Sequence, residues 1–140
     1  MQKKIIITNN ESETILEGER LGKVLLPGSI VALYGGLGVG KTAFTRGLAI
    51  GLGLDAHVSS PTFTIVNEYP GKTPLFHFDM FRIETEDELF DIGWDDYLDR
   101  NGVCAVEWSE KVPGVFPSGT FTVKLENLGG NTRRLVVSVT

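Results

Sequence analysis

Ser29–Thr42 has the sequence SIVALYGGLGVGKT, and this stretch decides the fold. Its first part, SIVALY, is a continuous apolar run of strand length, as is typical of a strand buried on both faces of a parallel sheet. Gly35–Thr42 then satisfies the phosphate-loop pattern G-x-x-x-x-G-K-[S/T]. From Lys41 to about Leu52 the apolar residues follow helical spacing, and Gly53 stands where a C′ glycine is expected. A buried strand, a glycine-rich loop and a helix in this order predict a nucleotide-binding phosphate loop.

The residues of this loop suit a phosphate because of their backbone geometry and charge. Glycines allow positive φ and carry no Cβ, so successive N–H groups can surround an anion beside the positive end of the following helix. Lys41 is expected to reach the β- and γ-phosphates, and the Thr42 hydroxyl is expected to bind Mg²⁺. The nucleotide-binding residues predicted in the loop are Gly35, Gly36, Leu37, Gly38, Val39, Gly40, Lys41 and Thr42.

Further strands and helices are predicted on both sides of this unit. Strands are expected at Lys4–Thr8, Thr62–Tyr69, Leu75–Phe81 and Gly102–Trp108, and a C-terminal hairpin is expected from TFTVKLEN and RRLVVSV. Helices are expected from Glu13 to about Leu26, with Ser12 as N-cap, and over Glu84–Asp99, with a break at Gly93. This order predicts an α/β protein with a three-layer phosphate-loop NTPase fold, a mixed, mainly parallel sheet and a C-terminal β-hairpin.

Length, charge and cysteine content bound the class of protein. A chain of 140 residues fits one domain, spanning residues 1–140. A net charge of −5 disfavours a strongly basic nucleic-acid binder. The single cysteine, Cys104, excludes an intrachain disulfide and fits a reducing compartment. The apolar runs are far shorter than the ~20 residues of a membrane helix, so a cytoplasmic protein without membrane contact is expected.

Two carboxylates are expected to complete the site. Phosphoryl transfer requires a group that holds hydrated Mg²⁺ and a group that positions the attacking water. Asp79 and Glu107 each lie at the end of an apolar strand, where catalytic groups of open α/β sheets gather. Which of the two binds the metal and which acts on water stays open at this stage. The loop SSPT follows the helix that leaves the phosphate loop. Ser60 or Thr62 in this loop could position water or metal, although a simple turn is an equal alternative.

Other polar residues are weaker candidates. His77 is expected to be a packed or hydrogen-bonded histidine and not a base, and His57 is a loop histidine without evident partners. Cys104 lies in an apolar strand and is expected to be a small core residue. No His/Cys grouping suggests zinc, so no metal other than magnesium is expected. The sequence DRNG at residues 99–102 matches a GTPase pattern formally, but a turn is the better interpretation, and the chain has no N-K-x-D guanine signature.

Four segments, taken together, resemble one family. GGLGVGKT, SSPTFTIVNEY, HFDMFR and VEWSEK occur in this order and spacing in the bacterial TsaE (YjeE) family, and the resemblance spans almost the whole chain. The resemblance implies a small ATPase that binds ATP and Mg²⁺, hydrolyses ATP slowly and supports threonylcarbamoyladenosine modification of tRNA. It also implies two partners, TsaB and TsaD, of which TsaD carries out the transfer to tRNA. Because the net charge is −5, no strong direct binding of tRNA by this chain is expected.

The resemblance also implies roles for individual residues. Glu107 resembles the family's second acid on the Mg²⁺ side, and Asp79 resembles its essential aspartate. Thr62 resembles a switch-like threonine, and Trp108 resembles a residue near the nucleotide. Residues 9–12 and the region of Arg133 and Arg134 are expected to flank adenine.

Two positions depart from the family pattern. Gly36 stands where the family usually has Asp, and Phe81 stands where it usually has Tyr. The first change removes a carboxylate near the phosphates, and the second removes a hydroxyl. The sequence alone leaves two other functions open, which are a small-molecule kinase and a nucleotide-binding interaction module with negligible hydrolysis.

The negative charge is concentrated in one segment. Residues 84–99 contain eight acids and no Lys or Arg, a charge of −8, so the rest of the chain carries −5 − (−8) = +3. A solvated helix face is the simpler explanation of this segment, and a docking surface for a basic partner protein is the alternative.

Overall fold

The computed structural model describes residues 3–36, 38–54, 58 and 65–140. The strands are β1 (Lys4–Thr8), β2 (Ile30–Tyr34), β3 (Val66–Tyr69), β4 (Leu75–Asp79), β5 (Val103–Glu107), β6 (Phe121–Gly129) and β7 (Thr132–Val139). The helices are α1 (Glu11–Val24), α2 (Lys41–Gly51), α3 (Glu86–Asp91) and α4 (Trp94–Leu98). Two short 3₁₀ turns, Ser109–Lys111 and Pro113–Val115, follow β5.

The strands described form one mixed sheet in the order β1-β7-β6-β2-β5-β4-β3. Strands β6, β2, β5 and β4 are parallel neighbours, whereas β1, β7 and β3 pair antiparallel at the two edges. The continuous apolar runs lie at β2, β4 and β5, where both faces of the sheet are covered. Strands β6 and β7 form the predicted C-terminal hairpin.

The side chains of the central strands alternate between two hydrophobic cores, one on each face of the sheet. On one face, Val31 and Leu33 of β2 join Phe44 and Leu48 of α2. On the other face, Ile30 joins a second cluster that includes residues of α3 and α4. This alternation follows from the period of two along a strand. The helices therefore lie on both faces of the sheet, and the predicted three-layer α/β architecture is confirmed.

Helices α1 and α2 approach each other closely because their contact is lined by glycine. A Cβ on Gly18 would lie 2.1 Å from the carbonyl oxygen of Phe44, and a Cβ on Gly47 would lie 2.0 Å from that of Ile15. Gly22 and Gly51 repeat this arrangement one helical turn further along. Glycines spaced by four residues in two helices predict such a close helix pair, and this signal lies in the sequence itself.

The first helix begins two residues earlier than expected. Its N-cap is Asn10 and not Ser12, because the side-chain oxygen of Asn10 accepts a hydrogen bond of 2.9 Å from the N–H of Glu13. The Glu13 carboxylate in turn accepts a bond of 2.7 Å from the N–H of Asn9, a reciprocal pairing like that of a capping box. The helix also ends earlier, at Val24.

Most other element boundaries agree with the expectation to within a residue or two. Gly53 has φ 79° and donates to the carbonyl of Ile50, as a C′ glycine does. The fourth strand ends at Asp79, two residues before the predicted end. Of the strand predicted over residues 62–69, the part at residues 62–64 lies outside the described residues, and β3 covers Val66–Tyr69.

The acidic segment at residues 84–99 is helical with the predicted break at Gly93, where φ is 99°. Its apolar residues Leu89 and Trp94 are buried in the second core, and most of its carboxylates are exposed. This is the pattern of a solvated helix face, and the docking role remains a prediction. In the part of the chain described, no helix has the length and apolarity needed to cross a membrane.

Candidate active site

The phosphate loop connects β2 to α2, as predicted. Gly38 and Gly40 adopt positive φ of 71° and 100°, and Gly40 is the N-cap of α2. Gly35 has φ 142°, and a Cβ there would lie 2.7 Å from the carbonyl oxygen of Leu125. The loop therefore requires glycine for its backbone conformation, and the start of α2, with its positive dipole end, suits an anion. Leu37 lies outside the described residues.

Lys41 begins α2, and its side chain is held in two ways. Its ammonium donates a hydrogen bond of 2.7 Å to the carbonyl of Gly35 and lies 3.8 Å from the centre of the Trp108 ring. The residue is only 5% exposed. Burial lowers the pKa of Lys41, and the nearby carboxylates of Glu107, Glu110 and Asp79 oppose that shift. Lys41 is thus a cation among acids at the mouth of the loop, positioned to meet an anionic ligand.

Thr42 and Glu107 face each other across the base of the loop. The Thr42 hydroxyl donates to Oε2 of Glu107 over 3.4 Å, and Nε2 of His77 lies 2.5 Å from the same oxygen. Asp79 is the register partner of Glu107 at the ends of the parallel strands β4 and β5. The fold therefore brings both predicted acids to the carboxyl end of the sheet, next to the start of α2.

Asp79 is half-buried and lies beside other charged groups. One of its carboxylate oxygens accepts a hydrogen bond of 2.9 Å from the N–H of Phe81. Burial raises the pKa of Asp79, and the neighbouring Glu107 raises it further, whereas the Phe81 hydrogen bond and the neighbouring side chains of His77 and Lys41 act in the opposite direction. A carboxylate in this position favours a nearby cation, because a cation would compensate the charge that burial disfavours.

Trp108 directly follows β5 in a left-handed conformation, with φ 58°. A side chain in this region costs about 1–2 kcal/mol, and the resulting turn brings the indole over the Lys41 ammonium. The Phe81 ring packs against the same indole at 5.1 Å between centroids, and Lys111 donates to the Phe81 carbonyl over 3.0 Å. Phe81 is 50% exposed, so a hydroxyl on this ring, which the resemblance predicts at this position, would be near solvent.

A cavity of about 500 Å³ joins these groups. Its lining includes eight of the residues that were predicted from the sequence as part of the site: Gly38, Val39, Gly40, Lys41, Thr42, Asp79, Glu107 and Trp108. Asn10 and Arg133 also line it, and the expectation that their regions flank adenine stays a prediction. Arg134 does not line the cavity, because successive residues of β7 face opposite sides of the sheet, and its guanidinium instead pairs with Glu126 over 3.5 Å.

Some lining residues were missed by the sequence analysis. Thr14, Arg46 and Asn131 border the cavity as well. Arg46 follows Thr42 by four residues in α2, and Thr14 follows Asn10 by four residues in α1, so each pair shares a helix face. That spacing is a signal that could have found them. Arg133 contributes by donating to the Gly38 carbonyl over 3.2 Å, a contact across the chain that no local pattern contains.

Several predictions fall outside the site or outside the described residues. Thr62, Ser60 and His57 are not among the residues described, so their predicted roles are untested. Cys104 is a core residue, as expected, and burial raises the pKa of its thiol to about 12. Residues 99–102 form a turn after α4, with Asn101 at φ 59°.

The donor atoms at the acid end suit a hard cation. Thr42, Asp79 and Glu107 offer hydroxyl and carboxylate oxygens, the ligands that Mg²⁺ prefers, and Mg²⁺ commonly takes only one or two protein ligands beside phosphates and water. Among the described residues there is no group of three or more His, Cys, Asp and Glu side chains arranged to hold a metal ion alone. The site therefore fits a cation that is shared with a phosphate ligand.

Comparison with known proteins agrees with this architecture. The family model described as "Threonylcarbamoyl adenosine biosynthesis protein TsaE" matches residues 8–135. The chain is similar to the tRNA threonylcarbamoyladenosine biosynthesis protein TsaE of Treponema pallidum, with 37% identity over 132 residues, 94% of this chain and 98% of that protein. It is 40% identical over 129 residues to the Bacillus subtilis protein of the same name, covering 91% of this chain and 80% of that protein.

A solved structure shares the fold over nearly the whole chain. The crystal structure of Bacillus subtilis YdiB matches with a TM-score of 0.81 and 31% sequence identity, covering 99% of this chain and 86% of that chain.

Proposed function

This chain belongs to the TsaE family of threonylcarbamoyl adenosine biosynthesis proteins, and from that membership we propose that it binds ATP with Mg²⁺, hydrolyses it slowly and acts on a complex of TsaB- and TsaD-type proteins. The role of the family lies in the threonylcarbamoyladenosine modification of tRNA. In this proposal the protein is a cytoplasmic ATPase that serves the modifying complex and leaves the chemistry on tRNA to its partners.

One observation carries the proposal. Lys41 and Thr42, at the start of α2, share a single cavity with Asp79 and Glu107, at the ends of β4 and β5. A phosphate ligand at the helix start would place its negative charge near the Lys41 ammonium and beside oxygen ligands for a cation. Catalysis of phosphoryl transfer consists mostly of such positioning and charge stabilisation.

Each residue has a defined task in this proposal. The loop backbone and Lys41 bind the β- and γ-phosphates, and the Thr42 hydroxyl and Glu107 hold Mg²⁺, which supplies charge neutralisation at the phosphates when bound. Asp79 accepts a hydrogen bond from the attacking water and orients it. Trp108 supports Lys41 and borders the nucleotide, with its indole 3.8 Å from the ammonium. Thr62 is proposed as a switch residue on the family resemblance alone.

Hydrolysis measured with and without purified TsaB–TsaD complex tests the proposal. We expect slow, Mg²⁺-dependent phosphate release from the protein alone and a changed rate when the complex is present. Binding to the complex, followed by analytical ultracentrifugation with ADP, ATP or no nucleotide, should depend on the nucleotide. The control is Lys124→Ala, because Lys124 is exposed on the face of β6 away from the cavity.

A small-molecule kinase would give a different result. It would pass the γ-phosphate of radiolabelled ATP to an acceptor in a metabolite panel, form no complex with TsaB–TsaD and show no change in rate with them. A protein that binds ATP without measurable turnover, alone or with partners, would instead be a nucleotide-dependent interaction module. Either outcome contradicts the proposed ATPase.

A further inference from the structure

His77 is a buried polar residue in the middle of a hydrophobic strand. It lies in β4 between Phe76 and Phe78, and its side chain is 0% exposed. It is on the same face of the strand as Asp79, whereas Phe76 and Phe78 point into the opposite core. The imidazole therefore lies beneath the acid end of the cavity, although it does not line the cavity itself.

Its described polar contact is with Glu107. The imidazole Nε2 lies 2.5 Å from Oε2 of Glu107, and this contact is buried on both sides. Because a carboxylate oxygen can only accept, the imidazole carries its proton on Nε2 and donates it. Hydrogen bonds to ionised groups are the stronger kind, so this contact fixes the rotation of the Glu107 carboxyl group.

The other ring nitrogen distinguishes this residue from an ordinary core residue. Nδ1 of His77 is buried and has no hydrogen-bond partner among the described residues. A doubly protonated ring would bury an N–H with no acceptor, so the neutral form with Nε2–H fits best. Packing alone does not account for an imidazole here, because an apolar side chain would fill the space without burying an unpartnered nitrogen.

The two donors to Glu107 converge on one oxygen. Oε2 receives both His77 Nε2 and the Thr42 hydroxyl, whereas no described residue bonds Oε1. Glu107 lines the cavity, and with Oε2 held by the imidazole its carboxylate keeps one orientation there.

We propose that His77 is a positioning residue that holds the Glu107 carboxylate in the orientation needed to bind the cation at the phosphate site. This inference rests on the proposed function, since the cation is the Mg²⁺ that accompanies ATP there. His77 acts through Glu107 and touches neither nucleotide nor metal. It is an outer partner of a metal ligand, and loss of such partners commonly weakens metal binding or activity by ~10–100-fold.

Three variants separate positioning from packing. His77→Leu fills the core but removes the donor, whereas His77→Gln places an amide N–H near the position of Nε2. Phe76→Leu, on the same strand but facing the opposite core, controls for general damage to β4. Each variant is tested for ADP affinity by calorimetry in EDTA and over a Mg²⁺ titration, and for ATP hydrolysis.

For His77→Leu we expect unchanged ADP affinity in EDTA, an Mg²⁺ requirement raised about tenfold and kcat lowered about tenfold. His77→Gln should restore both quantities to within about threefold of wild type, and Phe76→Leu should leave both unchanged. A His77→Leu protein with the wild-type Mg²⁺ requirement would overturn the proposal. Equal losses in His77→Leu and Phe76→Leu would assign the effect to packing and would overturn it too.

Nitrogen NMR of the wild-type imidazole decides the matter if His77→Leu does not fold. We expect the His77 ring to show a protonated Nε2 and an unprotonated Nδ1, with the Nε2 shift changing when Mg²⁺·ADP is added. A proton on Nδ1, or an Nε2 chemical shift that does not change when Mg²⁺·ADP is added, would contradict the proposal. Failure of the proposed function can be distinguished from failure of the His77 proposal, because in that case the wild-type protein would neither bind ADP nor hydrolyse ATP.

Discussion

The phosphate side and the acid side of the cavity are assembled in different ways. The phosphate side is one continuous segment, in which Gly36 and Gly38 have open space where a Cβ would be. The acid side comes from the ends of two strands, and its residues Glu107 and His77 are buried. Gly36 can therefore be substituted at little cost in stability, whereas Gly38 needs glycine for its positive φ of 71°. On the acid side, substitution of Glu107 or His77 changes a buried group. Substitution of Gly36 is therefore expected to change function with little change in stability, whereas substitution of Glu107 or His77 is expected to change both.

The largest effect is expected from removing the cation on the phosphate side. Lys41→Ala deletes the ammonium that lies between the Gly35 carbonyl and the Trp108 ring. Loss of one preorganised donor to transition-state charge lowers turnover by ~10²–10³-fold, and we expect at least this loss in ATP hydrolysis. Stability should rise or stay level, because burial of this cation is unfavourable. Phosphate release and urea unfolding of the same samples measure both effects.

Lys124→Ala is the matched control, since it removes an exposed lysine on the other face of the sheet. Lys41→Ala with activity near that of Lys124→Ala would break the assignment of the phosphate side.

A large loss of stability is expected from the helix pair that supports the loop. In Gly47→Ala the new Cβ would lie 2.0 Å from the Ile15 carbonyl oxygen and 2.7 Å from the Glu19 nitrogen. Overpacking of this kind costs about 1–3 kcal/mol, which outweighs the gain of ~1 kcal/mol that alanine brings to a helix interior. We expect unfolding free energy to fall by about 2 kcal/mol in urea titrations. Gly36→Ala, in open space, should stay within about 0.5 kcal/mol of wild type, and similar losses in both variants would contradict the close helix contact.

On the acid side, Asp79→Asn is expected to raise the unfolding free energy slightly, opposite in sign to the effect of Gly47→Ala. Burial raises the pKa of Asp79, so the folded state binds more protons than the unfolded state between the ordinary and the raised pKa. Asp79 therefore destabilises the fold above its raised pKa, and this penalty vanishes below the ordinary Asp pKa of ~3.9. Asp79→Asn keeps the acceptor for the Phe81 N–H and removes the charge. At pH 7.5 we expect a gain of less than about 1 kcal/mol, since solvent screens a half-buried carboxylate.

The same variant should lose most ATP hydrolysis, so stability and activity move in opposite directions. Urea unfolding at pH 7.5 and 4.5 measures the gain, which should be smaller at the lower pH. A loss of stability at pH 7.5 would show that Asp79 supports the fold and would weaken its assignment to function.

The phosphate side of the cavity could be predicted from the sequence more completely than the acid side. The loop, Lys41 and Thr42 lie in one segment whose conformation depends on its own glycines, so a local pattern was sufficient. Asp79 and Glu107 were predicted as strand ends, but their pairing depends on the register between β4 and β5. The His77 contact and the Arg133 contact with the loop depend on tertiary structure alone. The N-cap was misplaced because Asn10 and Ser12 are both good caps, and only the backbone decides between them.

Gly36→Asp is expected to have the smallest effect on stability. It tests whether a residue on the phosphate side can change function without changing the unfolding free energy. The substitution adds the carboxylate that the family resemblance predicts at this position, and nothing lies within 4 Å of the new Cβ. Unfolding free energy should stay within about 0.5 kcal/mol of wild type, as for surface substitutions elsewhere. A carboxylate added beside the loop should nevertheless lower the Mg²⁺ concentration needed for half-maximal hydrolysis, because it adds an oxygen ligand or a water acceptor near the cation. Gly36→Asn, with similar size and no charge, is the control. An equal shift in both variants would show that charge is not the cause, and a large loss of stability in either would show that the loop is packed more tightly than its open glycines indicate.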